Sequence, residues 1–303
     1  MKSEWKGVFP ALTTKFKKDY SLDLPAIEKH IHFMLDAEVD GLIVLGSLGE
    51  NGTLSPSEKQ EVLSLAVKVS DGRVPVLSCV AETTTKGACE FVKKATDNGA
   101  DGFMVLPGMQ YVSDQRETMQ HLRTVAAASE KPIMIYNNPV AYRVDITAAM
   151  FAELADEPKF IALKESSEDV RRITDIRNLV GDRYNIFCGV DDLAFESFLV
   201  GAVGWVAGLV CAFPKETVAL YELTMGGHID GARAIQQWFM PLLHLDVSTK
   251  FVHNIKLVEQ LVGVGSERMR PPRLPLVADE RKRIERIVAA ALKTRPVIEE
   301  VQA

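Results

Sequence analysis

The chain contains 303 residues, of which 47% are hydrophobic and 25% are charged, and its formal net charge is −6. These shares are ordinary for a globular protein with a core of useful size, and the dispersed lysines and arginines argue against a nucleic-acid-binding surface. The first six residues are not followed by the apolar h-region of a secretory signal, and no apolar run reaches about 18 residues. We therefore predict neither a secretory signal nor a membrane span.

The four cysteines, Cys79, Cys89, Cys188 and Cys211, have spacings that match no zinc or redox motif. Cys79 and Cys188 lie in apolar runs, where a free thiol behaves as a small hydrophobic residue. We expect reduced thiols and a cytoplasmic protein.

Eight short apolar runs recur along the chain, with longer amphipathic segments between them. Near-continuous apolar runs are typical of strands buried on both faces of a parallel sheet, and their alternation with helical segments predicts βα units. The runs are residues 7–12, 41–45, 74–80, 102–106, 132–136, 160–164, 184–189 and 204–208.

The segments between these runs carry helix signals. Ser55, Pro56 and Glu58 form a capping-box pattern with proline in the first turn, which predicts a helix start before an apolar 3.6-residue period. Similar periods predict further helices over residues 24–37, 85–98, 115–128 and 169–180.

Eight βα units predict an α/β fold of the (β/α)8 (TIM) barrel type. A weak internal repeat supports it: residues 39–41 (VDG), 100–102 (ADG) and 202–204 (AVG) each precede a strand. The alternative, an open doubly wound sheet, usually has a glycine-rich turn after its first strand, and residues 13–15 (TTK) are not one.

Strand signals end near Pro214, and the later periods predict helices over residues 215–225, 231–245, 249–262 and 279–292. No glycine- and serine-rich linker separates these helices from the barrel. We predict a barrel over residues 1–213 and a helical extension packed on it over residues 214–303.

Lys164 ends the apolar run 160–163 (FIAL), at the barrel face where catalytic groups gather. Three interpretations are open: a solvated strand end, a structural ion pair with Glu50 or Asp191, or a nucleophile that forms a Schiff base. A solvated strand end is the usual fate of a lysine. The third interpretation requires an apolar surrounding that lowers the pKa of the amine, and the polar groups at the other strand ends support it.

Two other strand ends carry polar groups. Tyr136 closes the fifth run and could transfer protons beside an imine, although a barrel-mouth tyrosine can simply hydrogen-bond its hydroxyl. Residues 46–50 (GSLGE) follow the second run, where exposed backbone N–H groups and the Ser47 hydroxyl could hold a carboxylate. A plain tight loop is the alternative for this turn.

Together these three motifs resemble the dihydrodipicolinate synthase / N-acetylneuraminate lyase family. The resemblance spans the opening residues 7–14 (GVFPALTT), the GSLGE turn, the Tyr136-Asn137-Asn138-Pro139 strand end, Lys164, and the helical tail. It implies a (β/α)8 barrel with a C-terminal helical tail, usually tetrameric, that forms a Schiff base with a 2-oxo acid.

By this resemblance Lys164 is the Schiff-base lysine and Tyr136 the acid/base residue. Ser47 bonds the tyrosine and the substrate carboxylate, which the Gly46 turn also binds through the backbone N–H of Leu48.

Asp191 and Asp192, with Gly189 and Gly208, lie at the ends of the seventh and eighth strands. Gly189, Asp191 and Asp192 resemble the polyol-binding turn of sialic acid lyases, so we expect all four residues to bind substrate. The two aspartates are also candidates to cap a helix over residues 193–200.

Trp205 and Phe213 are candidates to narrow the pocket, although a core role for Trp205 is favoured.

The chain departs from the dihydrodipicolinate synthases in three places. Their arginine five residues after the tyrosine is Ala141 here, their Pro-Tyr-Tyr is residues 107–109 (PGM), and their second turn threonine is Leu48. These losses argue against a role in lysine biosynthesis. Arg143 replaces the arginine only if the loop shifts by two residues.

The site phrases look most like the branch that contains the 1-pyrroline-4-hydroxy-2-carboxylate deaminases of hydroxyproline catabolism. Sister enzymes acting on 2-keto-3-deoxy sugar acids, a synthase-like or sialic-acid-lyase-like aldolase, and a non-catalytic 2-oxo acid sensor are the alternatives. We expect no metal or organic cofactor, because the protonated imine is itself the electron sink. The expected partner is a small 2-oxo acid or imine, in a homodimer or homotetramer.

Overall fold

The computed structural model describes residues 5–108 and 111–298. Eight parallel strands form one sheet, and every strand is almost entirely buried. The strands are β1 (Gly7–Pro10), β2 (Leu42–Val44), β3 (Val76–Val80), β4 (Gly102–Val105), β5 (Ile133–Asn137), β6 (Phe160–Glu165), β7 (Asn185–Cys188) and β8 (Gly204–Ala207). Each lies within one residue of a predicted run.

The sheet closes into a barrel. Strands β2 to β8 pair in chain order, and β8 pairs with β1, with Val8 opposite Trp205. Ala11, just after β1, bridges Ile43 of β2, so the first two strands also meet. The predicted (β/α)8 barrel is confirmed, and the doubly wound alternative is wrong.

The repeated Asp-Gly pairs, Asp40-Gly41 and Asp101-Gly102, have a structural role at the start of the strands. The Asp40 carboxylate accepts the backbone N–H of Val8 at 2.8 Å, and the Asp101 carboxylate accepts that of Val76 at 2.9 Å. A side chain at Gly41 would collide with the ring of Phe9, which packs inside the barrel. These pairs therefore tie neighbouring strands together and leave room for a large core ring.

Twelve α-helices occur within residues 5–108 and 111–298. They are α1 (Leu24–Leu35), α2 (Pro56–Ser70), α3 (Thr85–Asp97), α4 (Gln115–Ala128), α5 (Pro139–Tyr142), α6 (Ala148–Leu154), α7 (Arg171–Val180), α8 (Ala194–Leu199), α9 (Pro214–Met225), α10 (Ile229–Leu243), α11 (Phe251–Leu261) and α12 (Ala278–Lys293). None of them, over those residues, has the length and hydropathy that a bilayer-spanning segment needs.

Most helix predictions are confirmed, including the capping box of Ser55 and Glu58 at the start of α2. Helices α5 and α6, which lie between β5 and β6, were not predicted. Asp191 and Asp192 do not cap α8, because that helix begins after a 3₁₀ turn and has no side-chain cap.

Helix α9 follows β8 and packs against β1 and α8, which is the position of the eighth helix in a (β/α)8 barrel. The predicted boundary after residue 213 remains a prediction, and these contacts favour a later one.

Trp205 and Phe213 are both fully buried. The predicted core role of Trp205 is confirmed, and neither ring lines the cavity described below.

A fully buried ion pair joins the tail to the barrel. In α11, the Lys256 ammonium lies 2.7 Å from the Glu50 carboxylate and donates to the Thr14 carbonyl at 2.8 Å. Removing one partner of such a pair is strongly destabilising, because the other charge is left buried. Since Glu50 ends the glycine turn after β2, the tail holds that turn in place.

Candidate active site

A cavity of about 380 Å³ opens at the carboxyl ends of the strands. It brings together seven of the predicted site residues: Lys164, Tyr136, Ser47, Leu48, Gly46, Gly189 and Gly208. These residues come from five different strand ends far apart in the sequence. Their convergence follows from barrel closure, as the strand-end argument predicts.

Lys164, on β6, is 7% exposed, and its ammonium nitrogen lies 4.2 Å from the ring centroid of Tyr136. Within the described part of the chain it has no ion-pair partner, because Glu50 pairs with Lys256. Asp191 is bound instead by Trp205 and by backbone N–H groups. Both the ion-pair interpretation and the solvated strand end are therefore wrong, and the amine faces the cavity.

Gly189 makes room for this lysine. A Cβ atom built on Gly189 would lie 2.0 Å from the Ser166 Oγ, 2.5 Å from the Lys164 Cε and 2.7 Å from its Cγ. Real Cβ atoms essentially never approach other atoms so closely. The glycine at the end of β7 is thus required for the position of the lysine.

Tyr142 joins Tyr136 and Ser47 in one polar group. Its hydroxyl makes a short hydrogen bond with the Ser47 hydroxyl, and its ring packs edge-on against that of Tyr136, with centroids 5.5 Å apart. Burial, and then the neighbouring Tyr136 hydroxyl, raise the pKa of Tyr142 well above its ordinary value. The Ser47 and Tyr142 hydroxyls can thus exchange a proton through their hydrogen bond, next to the Tyr136 ring.

Helix α5 puts Tyr142 there. The Asn138 side chain caps this four-residue helix by accepting the Ala141 N–H at 2.9 Å, and Pro139 occupies its first position. The same side chain donates to the Tyr136 hydroxyl at 3.1 Å. Asn138 thus orients both tyrosines.

The glycine turn presents unused donors to the cavity. Across residues 5–108 and 111–298, the backbone N–H groups of Ser47 and Leu48 find no acceptor. Gly49 lies close to the Leu12 carbonyl, 2.9 Å from where its Cβ would be, so only glycine fits this sharp turn. Free N–H groups beside a hydroxyl form the kind of concavity that binds a carboxylate.

Asp191 and Asp192 lie outside the cavity lining. Asp191 is fully buried and accepts the Trp205 Nε1–H at 3.0 Å and the Leu209 N–H at 2.7 Å. The N–H of Gly208 bonds both of its oxygens. Asp192 bonds the ring of His244 at 2.8 Å. A polyol-binding role for the two aspartates stays a prediction, and their observed contacts are structural.

No arginine occupies the place of the synthase arginine at Ala141 or Arg143 in the described cavity. Ala141 lines the cavity, whereas Arg143 is exposed, lies outside the lining and ends α5 in the left-handed conformation. Of the PGM segment, Pro107 and Gly108 are described and Met109 lies outside the described residues.

Several polar cavity residues were not predicted, among them Tyr142, Ser166 and Asp246. The Ser166 hydroxyl is buried and has no partner within the described residues. The Asn138-Pro139 pair is a helix-start signal that would have indicated α5 and hence Tyr142. No pattern in the sequence indicates Asp246.

Potential metal ligands are grouped elsewhere, at His30, Cys211 and Glu259, all buried. The Lys15 ammonium and the Thr13 hydroxyl each bond the Glu259 carboxylate at 2.6 Å, so a positive charge already lies there. Burial lowers the pKa of His30 to about 4. We interpret the group as an ion-pair network that ties α11 to the barrel.

The model of the dihydrodipicolinate synthetase family matches residues 4–291. This chain belongs to that family. It is an enzyme of the Schiff-base (class I) lyase type that the family comprises. The resemblance inferred from three short motifs is therefore confirmed at the family level.

Relatives in the dihydrodipicolinate synthetase family cover nearly the whole chain. The 4-hydroxy-tetrahydrodipicolinate synthase of Staphylococcus carnosus is 31% identical over 293 residues, which are 94% of this chain and 96% of that protein. The structure of the 4-hydroxy-tetrahydrodipicolinate synthase from Methylacidiphilum fumariolicum SolV has a TM-score of 0.94 at 24% identity, covering 98% of this chain and 99% of that one, an agreement of fold. YagE, a prophage protein of E. coli K12 solved with pyruvate, has a TM-score of 0.90 at 26% identity, with 96% and 99% covered.

Proposed function

We propose that this enzyme is a Schiff-base deaminase that acts on a small cyclic imine carboxylate, 1-pyrroline-4-hydroxy-2-carboxylate. The observation that carries the proposal is the Lys164 amine, which has no ion-pair partner among the described residues and lies against the Tyr136 ring. The same cavity contains the Ser47 and Leu48 N–H groups, which those residues also leave without an acceptor. Ala141 lines this cavity where the synthases have an arginine, and that difference favours the imine over a synthase substrate.

The first step places the substrate. Its carboxylate binds the free N–H groups of Ser47 and Leu48, which puts the C=N carbon beside the Lys164 amine. The amine attacks that carbon, and the ring opens as the C–N bond to the ring nitrogen breaks. The substrate is then held on Lys164 as a protonated imine, which withdraws electrons from C3.

Tyr136 then takes a proton from C3, and the electron pair left behind expels the hydroxyl group on C4. Tyr142 is hydrogen-bonded to Ser47 and packs against the Tyr136 ring, and these two residues pass protons to and from Tyr136. The three groups lie in one chain, so the proton relay needs no residue from a neighbouring subunit.

Tautomerisation moves the double bond toward C5, which becomes an imine of ammonia. Water then releases ammonia from C5 and the 2-oxo acid from Lys164, which leaves the semialdehyde of 2-oxoglutarate. The protonated imine stabilises the electron pair left at C3 until the hydroxyl group leaves, so the proposed chemistry uses no metal or organic cofactor.

A synthase-like aldolase is the second candidate, since the Staphylococcus carnosus relative bears the name 4-hydroxy-tetrahydrodipicolinate synthase. It uses the same lysine and tyrosine. The 2-keto-3-deoxy sugar acid enzymes form the same Schiff base as well. Their substrates differ from the cyclic imine in the hydroxylated end of the molecule.

Substrate profiling tests the proposal. The enzyme is incubated with 4-hydroxy-1-pyrroline-2-carboxylate, and the ammonia and semialdehyde formed are quantified. In parallel, formation of 4-hydroxy-tetrahydrodipicolinate and turnover of keto-deoxy sugar acids are measured. We expect ammonia release to be the fastest reaction by at least tenfold, and a faster reaction in either parallel assay would overturn the assignment.

We also propose a cytoplasmic location and a homo-oligomeric assembly, a dimer or tetramer. Both rest on the family resemblance, and the four cysteines, all free, are consistent with a reducing compartment. Light scattering of the purified protein tests the assembly, and a monomer at micromolar concentration would contradict it.

A further inference from the structure

Asp246 lines the same cavity as Lys164, and the protein's own contacts do not explain its carboxylate. It lies between α10 and α11, in the segment that closes over the end of β8. Within residues 5–108 and 111–298, its side chain has no hydrogen-bond donor and no ion-pair partner. An acidic group in a cavity with no donor of its own is available to a ligand.

The position of this carboxylate is fixed by its surroundings. The preceding Leu245 is buried, and its carbonyl accepts the Asn254 side-chain N–H at 2.8 Å. Gly208 lies directly against the acid, because a Cβ built there would be 2.6 Å from the Asp246 Oδ1 and 3.1 Å from its Cγ. Asp246 is therefore held at the end of β8, where only a glycine leaves it room.

Its neighbour Asp191 makes the contrast clear. Asp191 receives four hydrogen bonds from Trp205, Gly208 and Leu209, whereas Asp246 receives none from the described residues. Burial first, and then the negative charge of Asp191, raise the pKa of Asp246 well above its ordinary value. Lys164 acts in the opposite direction, and Asp192 raises the pKa further. An acid in this setting tends to hold its proton and to donate it.

The cavity places three chemical functions around a small substrate. Leu48, after β2, offers N–H groups for the carboxylate, and Lys164, on β6, binds the carbon next to it. Asp246, at the end of β8, lies at a third point of the rim. A substrate that occupies all three has a polar group beyond the imine carbon, on the side away from its carboxylate.

We propose that Asp246 is the catalytic acid that binds the C4 hydroxyl of the substrate and protonates it as it leaves. This inference rests on the proposed function. Tyr136 removes the C3 proton, the C3 electron pair forms the C3=C4 bond, and the C4–O bond breaks. The leaving oxygen takes the Asp246 proton and departs as water, and the resulting carboxylate regains a proton from solvent.

The test compares Asp246→Asn with the wild-type enzyme and with Asp230→Asn, a change of the same type at a fully solvent-facing side chain of α10. Three reactions are measured on each protein. Deuterium exchange into the pyruvate methyl group reports the Schiff base and proton removal alone. Ammonia release from 4-hydroxy-1-pyrroline-2-carboxylate requires a protonated leaving group. Chloride release from the 4-chloro analogue requires none.

We expect Asp246→Asn to slow ammonia release by about 100-fold or more, the usual range for a lost general acid. Pyruvate exchange and chloride release should stay within about fivefold of wild type, a range far below that loss. Unchanged ammonia release, or an equal loss in all three reactions, would overturn the role of Asp246. Failure of the wild-type enzyme to exchange pyruvate protons would instead overturn the proposed function.

Discussion

Replacing Gly189 with alanine is expected to inactivate the enzyme by displacing Lys164. The φ angle of Gly189 lies outside the left-handed region, so alanine is acceptable to the backbone and the effect is steric. The new Cβ would lie 2.5 Å from the Lys164 Cε. An ordinary contact needs about 3.5–4 Å, so the lysine has to move by roughly 1 Å or more.

A shift of that size at a reacting atom costs about 100-fold in rate. Overpacking of this kind also destabilises by about 1–3 kcal/mol, which a folded enzyme of this size can tolerate. We therefore expect Gly189→Ala to fold and to form the pyruvate–Lys164 adduct, trapped with borohydride, about 100 times more slowly than wild type.

Gly52→Ala is the matched control, because a Cβ at Gly52 meets nothing within 4 Å and its φ is not positive. It should form the adduct at the wild-type rate. Thermal unfolding of both variants separates misfolding from misplacement. If folded Gly189→Ala formed the adduct as fast as wild type, the argument that this glycine positions the lysine would be wrong.

Two further changes test other parts of the structure. Tyr142→Phe removes the hydroxyl that contacts Ser47, and we expect turnover to fall by about 10²–10⁴-fold, as for a lost acid–base group. The control Tyr20→Phe, at a half-exposed ring, should leave turnover unchanged. A loss below threefold in Tyr142→Phe would show that Tyr142 is not part of the proton relay. His30 has its pKa lowered to about 4 by burial, so its contribution to stability is complete above its unfolded pKa of 6.5 and is lost as pH falls toward 4. Urea unfolding measures the free energy of unfolding of the wild type and of His30→Gln at pH 7 and at pH 4.5. Between these two pH values, the free energy of unfolding should fall by about 2–3 kcal/mol less in His30→Gln than in the wild type. An equal fall in both proteins would contradict the lowered pKa of His30.

The barrel could be predicted because each strand is apolar on both faces, so even a strand of three residues such as β2 stands out in the sequence. Lys164 and Tyr136 could be predicted by the same reasoning, since each is a polar residue at the end of an apolar run. In a closed barrel, those ends must face one cavity.

Helix α5 was missed because four residues are too few to show a helical period. Its only signals are the cap Asn138 and the proline after it. Tyr142, the residue this helix delivers, was missed for the same reason.

The contacts of Asp191 and the position of Asp246 were not predicted, for different reasons. Asp191 does not cap the helix that follows it. Its carboxylate instead accepts hydrogen bonds from Trp205 and from N–H groups after β8. Chain order does not determine this direction of the side chain. Asp246 reaches the cavity only because the tail folds back over β8. Such long-range packing has no local pattern.

A Schiff base between Lys164 and a 2-oxo acid can be trapped and located on the chain. The enzyme is incubated with pyruvate and borohydride, digested, and mapped by mass spectrometry, with Lys164→Ala as the control. We predict the added mass on the peptide containing Lys164 and no adduct in the variant. No adduct on the wild-type enzyme, or an adduct on a different lysine, would contradict the account and leave Lys164 as a ligand-binding or structural residue.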